Sequence, residues 1–152
     1  MQVEIIETQA EGPDDIKTLL PHRAPFLFVD AVLQADMDRI VATRVFTEYE
    51  FFFQGHFPQY PVVPGVILIE SMAQAGGAGL RKLGVLGGEA LFFLASVDKV
   101  KFRRPVRPKE ELRMEIRNLK VSAHMIKQAG KAYIGDELAA EAEWLCVVRR
   151  NP

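Results

Sequence analysis

The stretch from Gly65 to Leu83 constrains this chain most. It is apolar on nearly every side, and before Arg81 its only polar side chains are Glu70, Ser71 and Gln74. A helix that is hydrophobic all round cannot lie on a surface and must be covered by something else. A membrane is a poor cover, because Pro64, Glu70, Ser71, Gln74 and several glycines interrupt the run. The rest of the chain therefore has to wrap it.

The remaining sequence supplies strands for that wrapping. Asp14 to Leu20 is a short helix with acidic residues at its start, stopped by Pro21. Phe26 to Leu33 is an apolar, β-rich run, and Arg39 to Phe46 alternates as a strand with one buried face. Phe51-Phe52-Phe53-Gln54-Gly55-His56-Phe57-Pro58 is a loop loaded with aromatics. Leu91 to Phe102, Leu112 to Ser122, Met125 to Tyr133 and Leu138 to Val148 are four further strands, separated by Pro and Gly turn signals. In the last of them Ala140, Ala142, Trp144 and Cys146 fall on one side, Glu141, Glu143 and Leu145 on the other. Strands segregated from one long helix give an α+β class. The expected architecture is a single domain, 1–152, with a curved antiparallel sheet around one helix. Such a sheet leaves an open edge, which a second copy of the chain would naturally cover.

Composition excludes several function classes. With a net charge of −1, no global charge advertises nucleic acid or an anionic membrane. The only cysteine, Cys146, rules out an intramolecular disulfide and favours a cytoplasmic setting. The three histidines lie far apart and no cysteine cluster exists, so no metal site is expected. The N-terminus, Met1 to Ile5, lacks a signal-peptide pattern.

Chemistry concentrates around the helix. Glu70 and Gln74, at i and i+4, share a face. A carboxylate there needs a partner or a proton, and burial would push it towards the protonated form that a general acid requires. Gly76, Gly77 and Gly79 each cost roughly 1 kcal/mol relative to alanine in a helix interior. That cost predicts the close approach of another backbone or of a ligand. His56 precedes the helix, joined to it by the stiff connection Pro58 to Pro64, and imidazole exchanges protons near neutral pH. Gly65 opens the helix with an unpaired N–H, a donor for developing negative charge. Base, oxyanion donor and acid thus stand close in sequence, which suits proton abstraction beside a carbonyl with loss of a leaving group. Plain structural readings compete with each of these. Glutamates on helices ordinarily face solvent, loop histidines ordinarily cap or pack, and Phe51 to Phe53 would ordinarily be core. Gln74 would then merely support Glu70. His22, beside Arg23, reads as structural, and His124 as a solvated turn residue. Lys101, Arg103, Arg104, Arg107 and Lys109 form a basic cluster that would suit an acidic partner, or would simply be solvated.

A resemblance joins these pieces. His22-Arg23-Ala24-Pro25-Phe26-Leu27-Phe28-Val29-Asp30 resembles the opening block of the FabZ-type β-hydroxyacyl-acyl carrier protein dehydratases. Gly55-His56-Phe57-Pro58, followed by Pro61 through Gln74, resembles their active-site signature, and Ser96 through Val106 is similar to a third block. The resemblance implies a hotdog fold, a sheet wrapped around a long central helix. It also implies dimers, commonly gathered into a trimer of dimers, with His and Glu of each site supplied by different subunits. By motif position His56 is the catalytic histidine and Glu70 the catalytic glutamate. Gly65 N–H binds the thioester carbonyl, and the Val62 carbonyl holds the second ring nitrogen of His56. The substrate is a (3R)-3-hydroxyacyl group on acyl carrier protein, dehydrated to the trans-2-enoyl thioester in fatty acid biosynthesis. No cofactor is implied beyond the phosphopantetheine arm of the carrier. The related FabA-type dehydratase–isomerases carry Asp at the acid position, so Glu70 favours simple dehydration. Two residues depart from the pattern: Gln59 replaces the usual Gly, and Ser71 the usual Ala, which places a hydroxyl next to the acid. A hotdog thioesterase and a non-catalytic acyl-binding subunit are the rival readings.

Overall fold

The computed structural model describes residues 13–150; the N-terminal stretch Met1 to Ile5 lies outside them. After α1 (Pro13–Leu19) come β1 (Ala31–Ala35), β2 (Arg39–Val45) and a short 3₁₀ turn (Phe51–Gln54). Then follow α2 (Gly65–Lys82), β3 (Leu91–Phe102), β4 (Glu111–Val121), β5 (Met125–Ile134) and β6 (Glu137–Arg149). The six strands make one sheet in the order β1-β2-β4-β5-β6-β3, antiparallel throughout.

α2 packs against all six strands, so the sheet curls around it. Every α2 residue from Ile67 to Leu80 is buried except Glu70. The alternation in β6 is borne out: Ala140, Ala142, Trp144, Cys146 and Val148 point into the core. β5 and β6 are joined by the two-residue turn Gly135-Asp136, where Gly135 takes φ +58°, the left-handed conformation such a hairpin requires. Among the described residues β3 lies at the end of the sheet with β6 as its only neighbour, and it exposes Phe93, Leu94 and Phe102.

Two expectations need correction. The apolar run Phe26 to Leu33 is not a strand along its length, since pairing begins only at Ala31. Its first part turns at Arg23, whose carbonyl accepts from Phe26 N–H at 2.8 Å. The backbone beyond finds partners on α2: Phe28 N–H donates to Gln74 Oε1 at 2.8 Å, and Phe28 O accepts from Ser71 Oγ–H at 2.6 Å. Hydrogen bonds to side chains thus replace a ladder there. The helix glycines, in turn, accommodate side chains rather than a backbone or a ligand. A Cβ at Gly77 would meet the Phe92 ring, one at Gly79 the Ile40 side chain, and one at Gly76 the Gln128 amide. Gln128 is buried and bonded on both atoms, accepting from Trp144 Nε1–H at 3.1 Å and donating to Asn118 Oδ1 at 2.8 Å. The 3₁₀ turn resolves the phenylalanine triplet: Phe52 and Phe53 enter the core, and Phe51 stays exposed.

Candidate active site

The loop that carries His56 is tied down by its own backbone. Phe57 N–H donates to Tyr60 O at 3.2 Å and Tyr60 N–H to Phe57 O at 3.0 Å. Val62 N–H returns to His56 O at 3.1 Å, and Val63 N–H reaches across to Val106 O at 2.8 Å. The half-buried imidazole stacks on Phe57, with ring centroids 4.3 Å apart. Its Nδ1 lies 3.0 Å from the Val62 carbonyl oxygen. A carbonyl can only accept, so Nδ1 carries the proton and Nε2 keeps a free lone pair. The loop thereby presents a base with a set tautomer.

α2 begins directly after this loop. Pro64 provides no side-chain cap; its carbonyl accepts from Ile67 N–H at 2.9 Å and Leu68 N–H at 3.3 Å, and the N–H groups of Gly65 and Val66 before them have no carbonyl within the helix to bond. Gly65 also admits the Phe102 ring, since a Cβ there would sit 2.6 Å from it and the half-exposed ring would have to shift. Gly65, Val66, Leu68, Phe102, Pro105 and Val106 line a cleft of about 510 Å³ at this helix end. It is largely apolar, and its Val66 and Phe102 walls are exposed.

Glu70 stands among the buried residues of α2 and is not sealed: 23% of its side chain remains exposed. Its Oε1 accepts from Gln74 Nε2–H at 3.0 Å. Gln74 is wholly buried, and its second Nε2 hydrogen goes to Phe26 O at 3.0 Å. Ser71 does not stand beside the acid, as the sequence suggested. Its hydroxyl turns away to Phe28 O and the Met114 sulfur. Among the described residues, His56 and Glu70 form no ion pair with each other.

One residue was missed as a site neighbour. His22 Nε2 stands 3.8 Å from Glu70 Oε1. Burial holds this imidazole below its ordinary pKa; Glu70 pulls it partly back up and Arg23 presses it down again. Its available signal was Arg23 and Pro25 alongside, two residues that stiffen a turn. His124, by contrast, is exposed, in keeping with its reading.

The basic cluster is largely occupied. Arg103 pairs with Glu141 at 3.2 Å, and Arg104 with Glu110 and with Glu137 at 2.7 Å. Lys109 lies 3.5 Å from Glu48. Arg107 stacks over the Tyr60 ring at 4.5 Å and bonds its hydroxyl. Among the described residues Lys101 and Arg107 form no ion pair with a carboxylate.

Comparison with known proteins follows the same lines. The FabA-like domain matches residues 20–143. The chain is 44% identical over 137 residues to the 3-hydroxyacyl-[acyl-carrier-protein] dehydratase FabZ of Pelotomaculum thermopropionicum, covering 90% of this chain and 97% of that one. It is 43% identical to the FabZ of Rhizorhabdus wittichii, covering 93% of each. This chain belongs to the FabZ-type dehydratase family. Its hotdog fold is shared more widely. The dehydratase heterocomplex ApeI:P of Xenorhabdus doucetiae superposes with a TM-score of 0.76 at 17% identity, covering 90% of this chain and 91% of that one. The PaaI protein of E. coli superposes at 0.58 and 13% identity, covering 76% and 80%. At such identities the likeness concerns fold alone, so the thioesterases among such neighbours carry no weight for activity.

Proposed function

We propose that this chain dehydrates (3R)-3-hydroxyacyl groups on acyl carrier protein to trans-2-enoyl thioesters, as an enzyme of fatty acid biosynthesis. One observation carries the reading: His56 donates Nδ1–H to the Val62 carbonyl, leaving Nε2 as a base on a loop leading into the helix of Gly65 and Glu70. His56 Nε2 takes the α-proton. Gly65 N–H stabilises the oxygen of the enolate-like intermediate. Glu70 gives a proton to the β-hydroxyl, the C–O bond breaks, and water leaves as the Cα=Cβ bond forms. Electrons and protons balance without a redox or metal cofactor. The phosphopantetheine arm arrives with the carrier.

The assembly is part of the proposal. Among the described residues His56 and Glu70 share no hydrogen bond or ion pair, while the twelve-residue β3 offers an unpaired edge with exposed Phe93 and Leu94. Pairing two β3 edges gives a homodimer in which each site takes His56 from one subunit and Glu70 from the other, and such dimers would gather in threes. Lys101 and Arg107, free of carboxylates, together with Arg103 and Arg104 at the mouth of the Gly65 cleft, would receive the acidic carrier in the cytoplasm.

The test is enoyl formation from 3-hydroxyacyl carrier substrates of several chain lengths, followed by mass. His56→Ala and Glu70→Gln should each lower kcat at least about a hundredfold, the usual weight of a general base or acid. Full activity in either variant would refute the role assigned to that residue. Release of free thiol instead of water would establish a thioesterase.

A further inference from the structure

Glu70 is approached from two sides through a single oxygen. Gln74 Nε2–H donates to Oε1 at 3.0 Å, and His22 Nε2 stands 3.8 Å from the same atom. Gln74 cannot supply more. Its Oε1 is taken by Phe28 N–H and its other Nε2 hydrogen by Phe26 O. A carboxyl anchored by one N–H still turns about its broad terminal torsion and exchanges its two oxygens. The second polar group near Oε1, His22 Nε2 at 3.8 Å, is short of a hydrogen bond, and closing to one when substrate orders the site would remove that freedom.

His22 is built to be this second group. Arg23 locks the turn beneath it, with Nη1 donating to Leu20 O at 2.8 Å and to His22 O at 2.7 Å, and Nη2 to Lys17 O at 3.2 Å. The Phe92 ring, seated on Gly77, lies 5.7 Å from the imidazole and walls its other side. The His22 side chain is 20% exposed, and its Nδ1 is buried with no hydrogen-bond partner. An N–H at that position would be an unsatisfied donor, so the single proton of the neutral ring belongs on Nε2, facing Glu70. The charged and titratable groups around the pair are Arg23 on the same turn and Cys146 on β6.

We infer that His22 is a positioning residue for Glu70: with Gln74 it holds the carboxyl by Oε1 and leaves Oε2 to face the β-hydroxyl. The kinetic part of this inference rests on the dehydration proposed above; the geometric part does not. His22 touches no reacting atom. Its effect falls on how often Glu70 presents its working oxygen, and so on kcat rather than KM.

Two experiments test it together. The first needs no turnover. NMR titration of ¹³C-labelled histidine follows His22 in the wild-type protein and in Glu70→Gln. Because the Glu70 charge supports protonation of His22, its midpoint should fall in Glu70→Gln. An unchanged midpoint overturns the coupling, whatever the activity. The second compares His22→Phe with His22→Gln in steady-state dehydration across pH. His22→Phe keeps a ring against Phe92 but offers no donor. Its kcat should drop about tenfold, the rate equivalent of one lost hydrogen bond, with KM within about twofold. His22→Gln, whose amide donates from near the Nε2 position, should recover about a third or more of the activity and the shape of the pH profile. Wild-type kcat in His22→Phe, or equal losses in both variants, overturns the positioning role. A wild-type protein that does not dehydrate defeats the proposed reaction but leaves the titration arm readable, so the two failures are separable.

Discussion

Gly76→Ala sets two physical effects against each other. In an isolated helix the change should stabilise by about 1 kcal/mol, because alanine is the better helix former. In this fold the new Cβ would sit 2.7 Å from Gln128 Cδ and 2.9 Å from its Nε2, and closer still to Oε1. Ordinary contact begins at 3.4 Å, so the amide must retreat. Retreat is restricted, because Gln128 bridges the Trp144 indole and Asn118. Trp144 is 1% exposed, so no water replaces a lost partner. Leaving one buried donor unsatisfied costs about 1–3 kcal/mol, and weakening the Asn118 bond adds about 1 kcal/mol. The clash therefore outweighs the propensity gain by about 1–3 kcal/mol. For a chain of this size that lowers Tm by roughly 3–9 °C. Calorimetry at fixed protein concentration measures the shift, since an assembling protein has a concentration-dependent midpoint. Trp144 is the only tryptophan, so its emission reports the indole bond directly. Gly88→Ala is the control: a Cβ there meets nothing within 4 Å, and Tm should hold within about 2 °C. A Gly76→Ala protein as stable as wild type, with unchanged emission, would refute the view that α2 carries glycine to admit these side chains.

Three further outcomes follow from the same contacts. Ser71→Ala removes the donor to the buried Phe28 carbonyl and should destabilise by about 1–2 kcal/mol in urea melts; because the hydroxyl faces away from Glu70, kcat should stay within about twofold, and a collapse in kcat would contradict this orientation. His22 is held below its ordinary 6.5 in the folded chain, so the unfolded chain takes up this proton first as pH falls. The stability from keeping the ring neutral is therefore complete above pH 6.5 and is lost as pH drops through that value towards the folded pKa. Melts should show that loss in wild type and less of it in His22→Gln, and identical pH slopes would count against it. Cys146 is buried with its thiol pushed up to about 12, chiefly by burial and secondarily by the Glu70 charge. A disulfide-exchange reagent at about pH 8 should label it slowly in the native protein and promptly in denaturant; fast native labelling would show that β6 opens.

The sequence made the frame legible and left its long-range contacts hidden. α2 and β6 could be read because burial imposes a local period, and Ala140, Ala142, Trp144 and Cys146 display it plainly. The Phe26 to Leu33 run misled because an apolar segment looks the same whether its backbone bonds a strand or a helix side chain. Its partners, Ser71 and Gln74, lie more than forty residues away. The three helix glycines announced a close approach, but only the packed fold says that Gln128, Phe92 and Ile40 make it. For the site, spacing placed Gln74 on the face of Glu70 and stopped there. It could not show that Gln74 is itself clamped by the Phe26 and Phe28 backbone, or that His22 stands 3.8 Å from the same carboxyl oxygen. These missing pieces belong to one unit. The turn from His22 to Phe28 has little regular pairing of its own, so the polar side chains of α2 hold it. In return the turn and Gln74 hold Glu70. The opening block and the helix are therefore one device, and a change that breaks the Gln74 bonds to Phe26 O or Phe28 N–H should reach the acid through Gln74 without touching it, whereas the Ser71 bond to Phe28 O supports the turn alone.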